Sequence, residues 1–398
     1  MSLFEPGSTA RSDGAGRPPG ALPPGVLPDG DPTWDDEPPK RRIGTGAAIG
    51  AVLVGVAIIA GVVVSVLPAP YVIERPGPTF DVLGDVEIDG EAVPLISIPS
   101  EETFATDGSL RMTTVSLSGN PSRLPSWVEV LGAWFDSSVA VVPVDQIFPP
   151  GTSVEQSSEQ AALDMQNSQR EAIAAALDSL EIDLDGAVVV EEIVDGSPST
   201  GILEPGDILL SVDGVAFEEV SGLRAAIAEH GADTPATIVL ERDGVEQTVE
   251  IAPVLADDGE TPVLMIYVSS EYDFPFTVDI QLQNVGGPSA GMVFALGILD
   301  KLTEGSLSGG NEIAGTGTIT GDGVVGPIGG IRQKLYGAKN AGSEWFLAPA
   351  ANCNEVVGHV PNGLTVFAVE TLDDASEAME AIRDGDTSGL VTCEAVKG

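Results

Sequence analysis

Two residues in the last third of the chain have types and settings that could do chemistry. Ser289 lies in Gly286-Gly287-Pro288-Ser289-Ala290-Gly291, between an alternating run, Thr277–Gln283, and an apolar helical run, Met292–Leu302. A serine at a glycine-rich strand-to-helix corner sits beside the free amides of a helix N-terminus, where an oxyanion can be stabilised. The same position suits a serine N-cap, so the corner alone leaves both roles open. A nucleophilic serine needs a base. Beyond residues 43–67 only four lysines occur, Lys301, Lys334, Lys339 and Lys397. Lys301 ends the helix that Ser289 opens. On a helix from Ile331 to Ala341, Lys339 lies off the apolar stripe, whereas Lys334 shares a face with Ile331, Ala338 and Ala341. A lysine aimed at a core is unusual, although a snorkelling side chain gives the same pattern.

Histidine is the alternative base, and the chain has two. His230 ends a helix, which fits a C-terminal capping charge. His359 follows Ser289 by 70 residues, and G-P-S-A-G also satisfies the G-x-S-x-G nucleophile elbow of α/β-hydrolases. That elbow follows a buried strand, however, and Thr277–Gln283 alternates polar and apolar residues as a half-exposed strand does.

The elements that must position these residues extend far upstream. Arg111–Leu117 and Val139–Val144 have strand composition, and Ser168–Leu180 has helical apolar spacing. Before them, residues 1–42 hold nine prolines and six glycines, which predicts a disordered tail. The apolar run Ile43–Leu67 is uncharged and, at about 1.5 Å per residue, long enough to cross a bilayer. Lys40, Arg41 and Arg42 precede it, so the positive-inside rule predicts a cytoplasmic tail and an extracytoplasmic remainder. An oxidising exterior would let Cys353 and Cys393 pair, the alternative being two buried thiols. The net charge of −44 repels phosphate backbones and argues against nucleic-acid partners. Two cysteines and two histidines give no zinc ribbon or other expected metal site.

Residues 186–253 change character. Ala187–Val190 and Ile208–Val212 read as strands and Ser221–His230 as a helix, followed by a hairpin, Ala236–Glu241 with Val245–Ile251, about Asp243-Gly244. With the run EPGDILLSVDG, this segment resembles a PDZ domain of the bacterial protease-associated type. The resemblance implies that Gly186, Ala187, Val188 and Val189 form the loop and edge strand that receive a peptide, beside the helix Ser221–His230.

GPSAG together with GTGTITGDGVVGPIGGIRQKL resembles the proteolytic domain of Lon proteases, serine peptidases with a Ser–Lys dyad. The resemblance implies Ser289 as nucleophile and Lys334 as general base, with Thr316 near the lysine amine and Gly287 and Pro288 at the oxyanion site. Two acidic positions of the Lon pattern are Gly286 and Thr318 here. The combination of tail, anchor, PDZ and Lon-like regions resembles the membrane-anchored YlbL family of Gram-positive bacteria. No G-x-x-x-x-G-K-[ST] phosphate loop occurs, so neither ATP nor any other cofactor is expected.

The expected class is α+β, with boundaries at 1–42 (tail), 43–67 (transmembrane helix), 68–150 (β-rich, completing the protease sheet), 160–254 (PDZ with its preceding helix) and 255–398 (Lon-like). The expected function is an extracytoplasmic, ATP-independent endopeptidase with polypeptide partners. A non-catalytic PDZ scaffold is the alternative, and homo-oligomerisation, as in Lon, stays open.

Overall fold

The computed structural model describes residues 44–397 except 89, 150, 152, 183, 257, 258 and 284. The expected tail, its basic cluster Lys40-Arg41-Arg42 and Ile43 lie outside the described residues. The first helix, Thr45–Val66, is 22 residues of Ala, Val, Ile and Gly around single Thr, Leu and Ser residues. Its apolar window Ala48–Ser65 has none of its residues buried. By length and composition it is a candidate membrane span.

Residues 59–398 form one compact unit, built on two sheets. The first is mixed, in the order Thr365–Val369, Trp345–Pro349, Glu312–Gly315, Ser109–Ser118, Tyr71–Asp81, Ala140–Pro143. The first four strands run parallel, and the last two joins are antiparallel. Strand alternation sorts its side chains into two cores. Ile313, Leu347, Phe367 and Val369 face the helix Gly291–Leu302, which is buried from Gly291 to Asp300. Ala314, Phe346, Ala348, Val366 and Ala368 face Ile331, Leu335 and Ala338 of the helix Ile331–Asn340. The helix that follows Ser289 and the helix that carries Lys334 therefore lie on opposite faces of one sheet.

The second sheet is antiparallel, in the order Val245–Ile251, Ala236–Arg242, Ile208–Val212, Asp185–Ile193, Ile266–Asp273. Its core of Val188, Leu209, Ile238 and Leu240 packs with Leu223 and Ile227 of the helix Val220–His230. His230 bonds Asp213 at 2.6 Å and the Thr234 carbonyl at 2.9 Å, tying the end of this helix to neighbouring turns.

Three expectations are corrected. The strand expected at Thr277–Gln283 pairs only over Asp279–Ile280, with Ile96–Ser97. Val278, Ile280 and Leu282 pack on the main core, so one-sided burial of an irregular segment imitates a strand. The helix expected at Ser168–Leu180 runs from Val154 to Ser179, opened by a Ser153/Gln156 capping box. It packs against the Gly291–Leu302 helix, with Met165, Ala172, Ile173 and Leu177 in the same core as Phe294. Finally, Ile266–Asp273, expected to belong to the protease region, pairs with Asp185–Ile193 and completes the second sheet.

Cys353 and Cys393 form a disulfide with a sequence separation of 40. Both are buried in the core beneath the Ile331–Asn340 helix. Closing a loop of that length stabilises by roughly 3–4 kcal/mol in the chain-entropy model. A Cys353→Ala, Cys393→Ala double variant is expected to lower the denaturant midpoint of residues 59–398 accordingly. An unchanged midpoint, with or without reductant, would show that the bond adds no stability.

Candidate active site

The segment before Ser289 folds sharply because Gly287 adopts φ +87°, a left-handed conformation that glycine enters without steric cost. The long helix Val154–Ser179 clamps this turn at two points seven residues apart, and hence on one face. The Gly287 amide donates to the Ala161 carbonyl at 2.7 Å, and the Ser168 hydroxyl donates to the Pro288 carbonyl at 2.8 Å. The helix Gly291–Leu302 then begins with Ala290 as its N-cap and no side-chain cap bond. Ser289 is thus not a cap, and its hydroxyl is left for other partners.

On the other face of the sheet, Gly330 stands in the left-handed region at φ +68° immediately before the helix Ile331–Asn340. A Cβ there would meet Val115 at 2.6 Å, so the helix start and its distance from the strand Ser109–Ser118 require glycine. One turn on, Lys334 is 2% exposed. Its Nζ lies 2.8 Å from Ser289 Oγ and 2.8 Å from Thr316 Oγ1. The two faces meet here because Thr316 directly follows the strand Glu312–Gly315, where the sheet no longer separates the helices.

Thr316 decides how the amine is oriented. Its hydroxyl donates to the Ser289 carbonyl at 2.8 Å, so its oxygen is left to accept from Lys334. The Gly317 amide donates to the same carbonyl at 3.0 Å. A neutral amine giving one hydrogen to Thr316 has a lone pair for the Ser289 hydroxyl. Burial alone lowers the Lys334 ammonium from its ordinary value to about 7, since desolvation disfavours the charged form.

The other candidate bases fall elsewhere. Lys301 donates to the Leu83 carbonyl at 3.5 Å and Lys339 to the Gly363 carbonyl at 2.8 Å. His359 is not among the described residues lining the Ser289 cleft.

That cleft has a volume of about 600 Å³ and is lined by Glu74, Thr113–Leu117, Ile147, Met165, Gly329 and the Ser289 turn. Burial pushes the Glu74 carboxyl above its ordinary range. The strand Ser109–Ser118 pairs with Glu312–Gly315 only through Met112. Past that point its cleft-side edge is free of strand partners among the described residues.

The oxyanion expectation changes in detail. The Gly287 amide is taken by Ala161, and Pro288 has no N–H, so neither can donate. The amides of Ser289 and Ala290 make no hydrogen bond among the described residues and stand at the N-terminus of the Gly291–Leu302 helix.

The expected peptide-receiving strand is also corrected. Gly186, Ala187, Val188 and Val189 lie in Asp185–Ile193, which is paired on both sides: Val188 opposes Leu209 on one edge and Ser270 on the other. A strand hydrogen-bonded on both edges cannot accept a third. The edge beside the helix Val220–His230 is Ile266–Asp273, and a cavity of about 190 Å³ between them is lined by Ser221, Arg224, Val268, Ser269, Asn167 and Thr320.

Sequence reasoning missed the wall this groove shares with the protease region. Glu171 of the long helix accepts from the Gly321 amide at 2.6 Å and the Tyr272 hydroxyl at 3.1 Å. Glu219, beside Asp322 and Glu171, is raised to about 7, first by burial and then by those two charges. The only trace in the sequence is the capping box Ser153-x-x-Gln156, which marks the true start of the long helix.

Comparison with known proteins finds two domain matches in this chain. Residues 284–381 match the Lon protease (S16) C-terminal proteolytic domain, and residues 163–252 match the PDZ domain. Lon protease 2 of Herpetosiphon aurantiacus is 42% identical over 91 residues, which are 22% of this chain and 11% of that protein. The Lon protease of Campylobacter concisus is 28% identical over 180 residues, 42% of this chain and 22% of that protein. The chain thus spans 11–22% of the length of these relatives. The PDZ domain of the SdrC-like protein of Listeria monocytogenes is 23% identical, covering 21% of this chain and 87% of that one, with a TM-score of 0.20. This chain carries a Lon-type proteolytic domain and a PDZ domain in an α+β fold.

The nucleophile's pH response follows from Lys334. The base acts when neutral, so labelling of Ser289 by a serine-directed phosphonate should be slow below about pH 7 and rise to a plateau above it. A rise centred near the ordinary lysine value of about 10.4 would mean that the amine is not desolvated in solution.

Proposed function

From the Lon-type proteolytic domain and the PDZ domain of this chain, we propose that it is a membrane-anchored, ATP-independent serine endopeptidase acting on unfolded or extended polypeptides outside the cytoplasm. The carrying observation is the buried amine of Lys334, 2.8 Å from Ser289 Oγ. The neutral amine takes the Ser289 proton as Oγ attacks the peptide carbonyl. The amides of Ser289 and Ala290 receive the developing oxyanion. The protonated amine then gives its proton to the leaving nitrogen, and water repeats the sequence to free the acyl group. An extended substrate fits the cleft by pairing with the free edge at Thr113–Leu117. The helix Thr45–Val66 serves as the anchor, with the basic cluster before it on the cytoplasmic side.

The PDZ groove between Ile266–Asp273 and Val220–His230 holds part of the same polypeptide. Tethering at a second site raises the effective concentration of chain at Ser289, by roughly 10²-fold where geometry allows. That supplies what a protease without a motor needs to engage loose chain ends.

With an unfolded protein as substrate, Ser289→Ala and Lys334→Ala should each lose essentially all cleavage, while His359→Ala keeps it. Lys334→Arg should not rescue, because a guanidinium stays protonated. Cleavage surviving in Lys334→Arg would sink the proposed base. Absence of cleavage in the parent chain would favour a scaffold. For the groove, Ser221→Trp fills the cavity and should raise KM for long substrates several-fold, leaving kcat/KM for a short peptide near the parent value. Equal loss on both substrates would refute capture.

A further inference from the structure

A short helix, Trp127–Ala133, presents an apolar face that nothing among the described residues covers. Its inner side is satisfied: Val130 and Ala133 are buried with Ala69 and Ile73, and the Trp127 ring packs edge-on against Tyr71. At about 100° per residue, Val128 and Leu131 fall opposite Val130 and Ala133, and Phe135 follows in the turn just past the helix end. That side is where a surface helix ordinarily places polar residues. Here Val128 is 51% exposed, Leu131 42% and Phe135 91%, and Trp134 on the flank is 58% exposed. A contiguous exposed apolar patch on an otherwise strongly acidic protein marks an interaction surface.

The chain itself indicates what covers it. The Trp127 amide donates to the Leu67 carbonyl at 3.3 Å, the Ala69 amide donates to the Pro125 carbonyl at 2.8 Å, and Pro68 bridges to Ser126. The start of this helix is therefore stitched to the residues at which the apolar segment ends. If that segment spans a bilayer, Leu67 emerges at the lipid surface and the helix lies beside it. We propose that the face Val128, Leu131, Trp134 and Phe135 inserts into the outer headgroup–acyl boundary of the same membrane. It would thereby fix the orientation of residues 68–398 on the bilayer. Amphipathic helices insert about 5–10 Å into that boundary, and exposed tryptophan suits it because the ring is apolar and its N–H polar. This inference rests on the anchor reading of Thr45–Val66.

The test reconstitutes the full chain in phospholipid vesicles and follows tryptophan emission quenched by lipids brominated near the headgroup end of the acyl chains. Trp134→Phe removes the reporter, and Leu131→Ser with Phe135→Ser removes the inserting side chains at exposed positions. The parent chain should be quenched, and Trp134→Phe should lose a distinct share of that quenching. The serine double variant should show red-shifted emission and the same loss, while remaining with the vesicles through an alkaline wash. Equal quenching of parent and Trp134→Phe in a wash-resistant chain would place the face in water and overturn the inference with the anchor intact. A chain stripped by the wash would remove the anchor reading, and this inference with it.

Discussion

The placement of one amine without water around it governs the rest of the catalytic region. Lys334 Nζ is held by two hydroxyls, and the desolvation that lowers its ammonium to about 7 costs roughly 4–5 kcal/mol of stability at neutral pH and below. The fold must supply that from apolar burial elsewhere. It does so with a helix that buries Ile331, Leu335 and Ala338 completely and with a sheet whose inner strands are covered on both faces. Catalytic usefulness and structural cost thus arise from the same dehydration.

That dehydration also explains why the sheet draws on distant sequence. Residues 255–398 contribute three of its six strands, and the other three come from the region before residue 150. Without Ser109–Ser118 and Tyr71–Asp81, the outer side of the lysine helix would face water, since this helix packs on both of those strands as well as on Trp345–Pro349. The long helix Val154–Ser179 holds the Ser289 turn from the opposite side. The strands of the second sheet thus fall in sequence between those of the first, and its last strand leads back towards Ser289.

Where local pattern decides the element, the sequence was legible: the strand Ile208–Val212, the hairpin about Asp243-Gly244, and the inward helix face of Lys334. The misreadings share a cause, that pairing partners are set by tertiary structure. Thr277–Gln283 alternates without forming a ladder, because burial on one side needs no strand neighbour. Gly186–Val189 was placed at an edge only by likeness to PDZ domains, yet Ser269–Tyr272, far along the chain, pairs with it. The first half of the long helix is mostly polar, so periodicity missed the turn that holds Gly287. Thr316 was placed only by likeness to Lon, since no local pattern reveals that a hydroxyl must orient the amine.

The groove and the cleft also share more than a linker. The groove wall includes Thr320, part of the turn at 320–323 that Glu171 fastens to Tyr272 on the groove's edge strand. From that turn the chain runs only eleven residues to Lys334 beyond Gly323. Glu171 stands on the helix that clamps the Ser289 turn through Ala161 and Ser168. The groove wall and the Ser289 turn are therefore fastened to one and the same helix. Glu74, which lines the cleft, is the seventh residue after Leu67, so this part of the cleft wall lies no more than about 25 Å from the end of the apolar run.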